Sequence, residues 1–173
     1  MSADRIQAWL DGAMAQGHLR ALDRAFALFL RSLDALVRKH TLDGMPRAAL
    51  QAETINGMFK GFIDLTFEHE GRWYVADYKS NWLGGQLGDY DAQAMRDSIA
   101  HSRYDLQYAI YVLALHRQLR ARMGRDYDYD RHIGGAVYLY LRGIDGQGHG
   151  VHAERPPREL IQAMDALFRG EAA

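Results

Sequence analysis

The segment HIGGAVYLYL at residues 132–141 constrains the fold most, because the strand that it predicts is apolar on both faces. A strand of this kind lies in the middle of a sheet, where neighbouring elements shield it from water. Residues 104–122, which precede it, predict a helix that is apolar on most sides and therefore packs deep in the domain. A central strand and a buried helix together favour a small mixed α/β domain.

Two further strands are predicted upstream as a hairpin. Residues 58–67 alternate between two faces, one of which is almost wholly apolar, and residues 72–79 are rich in aromatic side chains. The short link EHEG, which ends at Gly71, indicates an antiparallel connection. Residues 80–92 carry three glycines and predict a loop. The remaining predicted helices cover residues 4–16, 19–40 and 93–101 and a terminal stretch after Pro157.

Length and composition exclude several classes of protein. A chain of 173 residues is one ordinary domain. Its 21 Lys and Arg balance 22 Asp and Glu, so a strongly basic nucleic-acid binder is excluded unless basic residues cluster locally. The absence of Cys removes disulfides, thiolate metal sites and Cys nucleophiles. No stretch approaches the roughly 18 uninterrupted apolar residues of a membrane span.

Three ionisable residues on the predicted hairpin stand out. Asp64 interrupts the first strand, although Asp is disfavoured in strands, and Asp77 and Lys79 share one face of the second. A turn near Glu70 brings Asp64 and Asp77 close together across the ladder, directly or diagonally, with the register left open.

Two adjacent carboxylates repel each other, and a hard divalent cation such as Mg²⁺ relieves that repulsion while keeping waters that a substrate phosphate can replace. A lysine beside such a metal can orient water or stabilise charge on a phosphate. The alternative is a salt-bridged pair on the surface of a hairpin, because D-x-K tripeptides are common.

The wider context favours the first interpretation. The run GFIDLTFEHEGRWYVADYKSNWLG, followed by YDLQYAIYVLALHRQLR and IGGAVYLYLRG, resembles the nuclease domains of the RecB family within the PD-(D/E)xK superfamily. The resemblance implies a restriction-endonuclease-like α/β fold, a mixed sheet flanked by helices. It covers roughly residues 55–170, so residues 58–173 are expected to form the nuclease core. Residues 1–57 are then an N-terminal helical segment or a truncated part of the same domain.

The resemblance also implies roles for particular residues. Asp64, Asp77 and the backbone carbonyl of Tyr78 would bind the metal, and Lys79 would be the catalytic lysine. Gln107 and Tyr111 match the family's Q-x-x-x-Y, with a spacing that puts both on one helix face, where they either brace the site or contact DNA. Family members carry a further His and Glu upstream, for which His40 and Glu53 are the candidates here.

The implied activity is Mg²⁺-dependent DNA hydrolysis of the exodeoxyribonuclease V type, with Mn²⁺ or Ca²⁺ able to enter the site. The implied setting is double-strand break repair and recombination in the cytoplasm. DNA and the other subunits of a RecBCD-like helicase–nuclease would be the partners, with no membrane involved. The alternative from another class is an impaired nuclease-fold module that docks other proteins.

Two other features of the sequence bear on metal binding and DNA binding. Asp126, Asp128 and Asp130 do not form an EF-hand, because the loop lacks the required Gly and Glu, so a solvated turn is expected. Trp82, in the glycine-containing loop beside the predicted site, either packs against the domain or stacks on a base.

Overall fold

The computed structural model describes residues 18–50 and 61–171, with side chains from residue 26 onward in the first range. Helix 4–16 and the first three residues of strand 58–67, both predicted from sequence, lie outside these ranges. The strands are β1 (Leu65–His69), β2 (Arg72–Lys79), β3 (Ile133–Tyr140) and β4 (Val151–Glu154). The helices are α1 (His18–His40), α2 (Ala92–Ser102), α3 (Tyr104–Met123), α4 (Tyr129–His132) and α5 (Arg158–Phe168). Short 3₁₀ turns cover Leu42–Gly44, Leu87–Tyr90 and Gly124–Asp126.

The four strands form one mixed sheet in the order β1-β2-β3-β4. β1 and β2 pair antiparallel, as do β3 and β4, while β2 and β3 pair parallel. The parallel pair needs a long crossover, which α2 and α3 supply. The predicted mixed sheet with flanking helices is confirmed, and β3 is a central strand.

The hairpin prediction is correct in its pairing and wrong in one boundary. β1 begins at Leu65, which pairs with Ala76, so residues 61–64 are not part of the strand. The reason lies at Asp64, whose Oδ2 accepts the backbone N–H of Tyr78 at 3.0 Å. The side chain of Asp64 thus takes the place of a backbone acceptor for the N–H of Tyr78. The backbone pairing of β1 with β2 begins one residue later, at Leu65. The turn is built by Glu70 and Gly71, both with positive φ.

β4 has no counterpart among the elements predicted from the sequence. Its four residues follow a glycine-rich stretch and are too few to show a periodic pattern. It pairs with β3 through register partners such as Tyr138 and His152. Asp128, in the supposed solvated turn, caps α4 by accepting the N–H of Arg131 at 2.9 Å.

Helices α2 and α3 cover the face of the sheet that carries Asp77, Lys79 and Tyr138. The opposite face is also apolar, but several of its side chains are 40–55% exposed: Leu65, Tyr78, Leu141 and Val151. In the described part of the chain, no helix is long and apolar enough to cross a membrane.

A buried charge network fixes the first turn of α3 against the segment that follows α1. The side chains of Arg47 and Asp105 are fully buried, and their closest atoms, Nη1 and Oδ2, lie 2.6 Å apart. Arg103 donates to Asp105 Oδ1 at 3.1 Å and to Asp34 Oδ1 at 2.7 Å. Arg47 also donates to the carbonyls of Arg38, Thr41 and Met45, so its buried donors are satisfied.

We expect Asp105→Asn to lower the free energy of unfolding by about 3–5 kcal/mol, because Arg47 would lose its buried counter-charge and Arg103 one of its two. The matched control is Asp130→Asn, which removes ion pairs to Arg155 and Arg158 from a carboxylate side chain that is 60% exposed. That change should cost about 1 kcal/mol or less. Urea denaturation of both variants measures the difference, and equal losses would contradict the structural role of the buried network.

Candidate active site

The end of β2 places two charged side chains inside the domain. Asp77 and Lys79 point to the face covered by α3 and are only 7% and 5% exposed. They alternate with Tyr78, whose side chain points to the other face and is 47% exposed. The parallel partner strand contributes Tyr138 opposite Asp77 and Tyr140 opposite Lys79. The site therefore lies where the two parallel strands end.

The ammonium group of Lys79 is held by two hydrogen bonds and two aromatic rings. Nζ lies 2.7 Å from Asp77 Oδ2 and 2.7 Å from Gln107 Oε1. It also lies 3.5 Å from the centroid of the Tyr104 ring and 4.4 Å from that of Tyr138. A buried ammonium is tolerated only with such partners, and this set fixes its position closely.

Asp64, the residue just before β1, reaches the same place from the other side of the hairpin. Because its carboxylate accepts the N–H of Tyr78, it lies beside the peptide group that joins Asp77 to Tyr78. The structure thus brings Asp64 next to the β2 segment of Asp77 and Lys79. Asp64 is exposed whereas Asp77 is buried, so one carboxylate faces solvent and the other faces the domain.

Gln107 and Tyr111 connect α3 to both parts of the site. Gln107 presents its carbonyl oxygen to Lys79 and its amide nitrogen to the Tyr111 hydroxyl, 3.2 Å away. Tyr111 in turn donates to the carbonyl of Phe62 at 2.9 Å, two residues before Asp64. Burial raises the pKa of the Tyr111 phenol, opposed by the Gln107 hydrogen bond and reinforced by the charges of Asp77 and Asp64. Tyr111 therefore stays a neutral donor at physiological pH.

Sequence reasoning missed Tyr104 and Tyr138. Tyr104 stands three residues before Gln107, which is the spacing of one helix face, and this was an available signal. Tyr138 had no such signal, because its position depends on the parallel register of β3 with β2. Its hydroxyl lies 2.9 Å from Gln107 Oε1 and 2.9 Å from the carbonyl of Tyr104. Burial, with the nearby charge of Asp77, raises the pKa of Tyr138 well above its usual range.

The donor set suits a hard cation with few protein ligands. Two carboxylates and a main-chain carbonyl match Mg²⁺, which takes one or two carboxylates and keeps several waters. Within residues 18–50 and 61–171, no three His, Cys, Asp or Glu side chains gather into a metal-type cluster. His40, the last residue of α1, is thus not grouped with Asp64 and Asp77 in the described part of the chain. Glu53 lies outside the described residues.

Comparison with known proteins shows the family of the chain. The family model of the PD-(D/E)XK nuclease superfamily matches residues 2–173. The chain belongs to this superfamily.

The named relatives are RecB proteins, each described as "RecBCD enzyme subunit RecB". The chain is 48% identical to that of Escherichia coli K12 over 145 residues, which cover 83% of this chain and 12% of the relative. It is 46% identical to that of Haemophilus influenzae over 148 residues, with the same two shares. It is 40% identical to that of Mycobacterium tuberculosis H37Rv over 138 residues, 74% of this chain and 12% of the relative. The chain thus spans about an eighth of the length of these relatives.

The aromatic enclosure of Lys79 can be tested by a double-mutant cycle. Combining Tyr104→Leu with Lys79→Met should reveal a coupling free energy of about 1–2 kcal/mol, because the ring stabilises the buried ammonium. The control cycle pairs Tyr104→Phe with Lys79→Met. Phe keeps the ring, so that coupling should lie close to zero. Free energies of unfolding from urea denaturation give both values, and equal couplings in the two cycles would refute the cation–π contact.

Proposed function

We propose that this chain hydrolyses DNA phosphodiester bonds with Mg²⁺, as the nuclease module of a RecB-like subunit. The observation that carries the proposal is the position of Asp64, Asp77 and Lys79 at one end of β2. There the carboxylate of Asp64 accepts the N–H of Tyr78, the residue between Asp77 and Lys79. Membership of a nuclease superfamily supports the same chemistry.

Asp64, Asp77 and the carbonyl of Tyr78 would hold the cation, which when bound supplies a Lewis acid for the phosphate. Lys79 would stabilise negative charge that develops on the phosphate or orient the attacking water. Gln107 and the rings of Tyr104 and Tyr138 keep the ammonium at a fixed place, so little reorganisation is needed during reaction. No residue of this arrangement reads base edges. The place of cleavage would therefore depend on how the strand is delivered to the site and not on its base sequence.

The relatives supply the proposed biological setting. Because they are subunits of the RecBCD enzyme, we extend the proposal to a helicase–nuclease that acts on DNA in double-strand break repair and recombination, in the cytoplasm. Its other subunits would be the partners of this chain.

Substitution of Lys79 and Asp77 separates metal binding from chemistry. Asp77→Asn should abolish Mg²⁺ binding and cleavage together, because a neutral amide replaces a ligand carboxylate. Lys79→Ala should lower the cleavage rate by roughly 10²–10³-fold, the range for removal of a preorganised charge-stabilising donor. It should bind Mg²⁺ at least as tightly, because Asp77 loses the cation that now occupies its Oδ2. Lys79→Arg should also fail, since a planar guanidinium does not fit a site built round a compact ammonium.

Isothermal titration of Mg²⁺ and degradation of DNA with and without chelator provide the two readouts. Lys39→Ala is the matched control, since it removes an exposed lysine of α1 and should change neither quantity. Circular dichroism confirms that each variant is folded. Full cleavage by Lys79→Ala would return Lys79 to a structural salt bridge with Asp77.

The open apolar face of the sheet favours a second candidate function, the docking of another protein. Leu65, Tyr78, Leu141 and Val151 expose 40–55% of their surface on that face. A chain that serves only for docking would show no chelator-sensitive cleavage, and Asp77→Asn would leave its activity in a binding assay unchanged.

A further inference from the structure

The loop that follows β2 presents a large aromatic side chain to solvent. Trp82 is 68% exposed and lies three residues after Lys79. Its neighbour Leu83 donates its backbone N–H to the hydroxyl of Tyr90 at 3.4 Å, and Tyr90 is itself buried. An exposed indole costs hydration free energy that packing elsewhere would recover. Its exposure leaves most of an aromatic surface accessible to a ligand.

The loop is held in place by contacts of its own. Asp89 accepts the N–H of Gln86 at 2.8 Å, and a Cβ at Gly84 would meet the Asp89 carboxylate at 2.1 Å, so only glycine fits this close approach. Asp91 then caps α2 by accepting the N–H of Ala94 at 2.8 Å. Because the backbone beside Trp82 is already ordered, a ligand that contacts the ring has little loop entropy to overcome.

Beside Trp82 lies an open groove of about 470 Å³ between this loop and α2. Its polar lining comes from Asn81, Ser98, His101, Ser102 and Asp97. These groups offer amide, hydroxyl and imidazole donors and acceptors next to an aromatic surface. A carboxylate inside the groove disfavours a phosphate there, whereas a neutral heterocycle with mixed donors and acceptors suits all of these groups.

The groove is joined directly to the enclosure of the lysine. Asn81 accepts from the hydroxyl of Tyr104 at 3.3 Å, and the ring of Tyr104 is the one that lies 3.5 Å from Lys79 Nζ. The guanidinium of Arg142, which does not line the groove, lies 5.8 Å from the centroid of the Trp82 ring, and its Nε donates to the carbonyl of Ser80. A positive charge therefore lies outside the groove, and it favours a phosphate next to a bound base.

We infer that Trp82 and this groove form a base-binding subsite, in which an unpaired nucleobase of the DNA strand stacks on the indole beside the reacting phosphate. The inference rests on the proposed function for the identity of the strand. Every nucleobase has an aromatic face, so the subsite holds a strand without reading its sequence. A base inside a duplex is already stacked and does not reach the indole.

The test uses the full chain in chelator, with a gel to show that the oligonucleotide stays intact. Affinity for a labelled single-stranded oligonucleotide should fall about 10-fold in Trp82→Ala, in line with one lost base–aromatic stack, and stay within about 2-fold in Trp82→Phe. The control Leu87→Ala removes another exposed apolar side chain of the same loop, 51% exposed, and should bind as the unaltered chain does. Affinity for the duplex of the same sequence should not depend on Trp82.

A series of oligonucleotides, each lacking one base, locates the contact. When the base is missing at one particular position, the affinity of the unaltered chain should fall about 10-fold. The affinity of Trp82→Ala should be the same for that oligonucleotide as for the intact one. Equal losses in Trp82→Ala and Leu87→Ala, or a full additional loss on the abasic strand, would overturn the subsite. Trp82-dependent binding without metal-dependent cleavage would refute the nuclease proposal alone, while cleavage with binding that is indifferent to Trp82 would refute the subsite alone.

Discussion

The burial of one ammonium group determines most of the arrangement round the candidate site. Lys79 is 5% exposed, and a charge removed from water in this way must be paired and hydrogen-bonded. Asp77 supplies the negative charge from the same strand, and Gln107 supplies an oxygen from α3. Because the rings of Tyr104 and Tyr138 close the remaining sides, the helix, both parallel strands and the lysine must all keep one relative position.

The same helix is fixed on its other side by a second set of charges. Asp105, two residues before Gln107, is fully buried and bonded to Arg47 and Arg103. The first turn of α3 thus lies between two polar networks, one that joins it to the segment after α1 and one that joins it to the end of β2. Rigid support of this kind holds reacting groups more closely than packing of apolar side chains alone.

Local patterns in the sequence predicted the long helices and three of the four strands of the described chain, but neither β4 nor the short helix α4. The alternation of residues 72–79 predicted β2, and the short link at Gly71 predicted the antiparallel partner. The start of β1 was not predictable, because a side chain of Asp64 replaces a backbone acceptor there. The roles of Tyr138 and Arg47 also had no local signal. Each depends on a contact with a residue far away in the chain, which periodicity does not encode.

Lys79 changes the charge balance of Asp64 and Asp77 from the one that the sequence predicted. The sequence predicted two adjacent carboxylates whose compensating charge is a cation from solution. In the folded chain Lys79 already lies 2.7 Å from Asp77, so the buried carboxylate has its own counter-charge. A metal that binds Asp77 would have to share it with Lys79 or displace the lysine. The measured metal affinity would therefore depend on Lys79 as well as on the ligands.

The parallel pairing of β2 with β3 sets the order in which these groups can meet as the chain folds. The β1–β2 hairpin is local and forms in roughly 1–10 μs, so Asp64 and Asp77 can approach early. Tyr138 arrives only after the crossover from Lys79 to Ile133 has closed, and non-local pairing of this kind is slow. During synthesis, the lysine is therefore enclosed only once β3 has been made and has docked on β2. Asp64, Asp77 and Lys79 are therefore all in the nascent chain before Tyr138, and the position of the ammonium is fixed only when the sheet is complete.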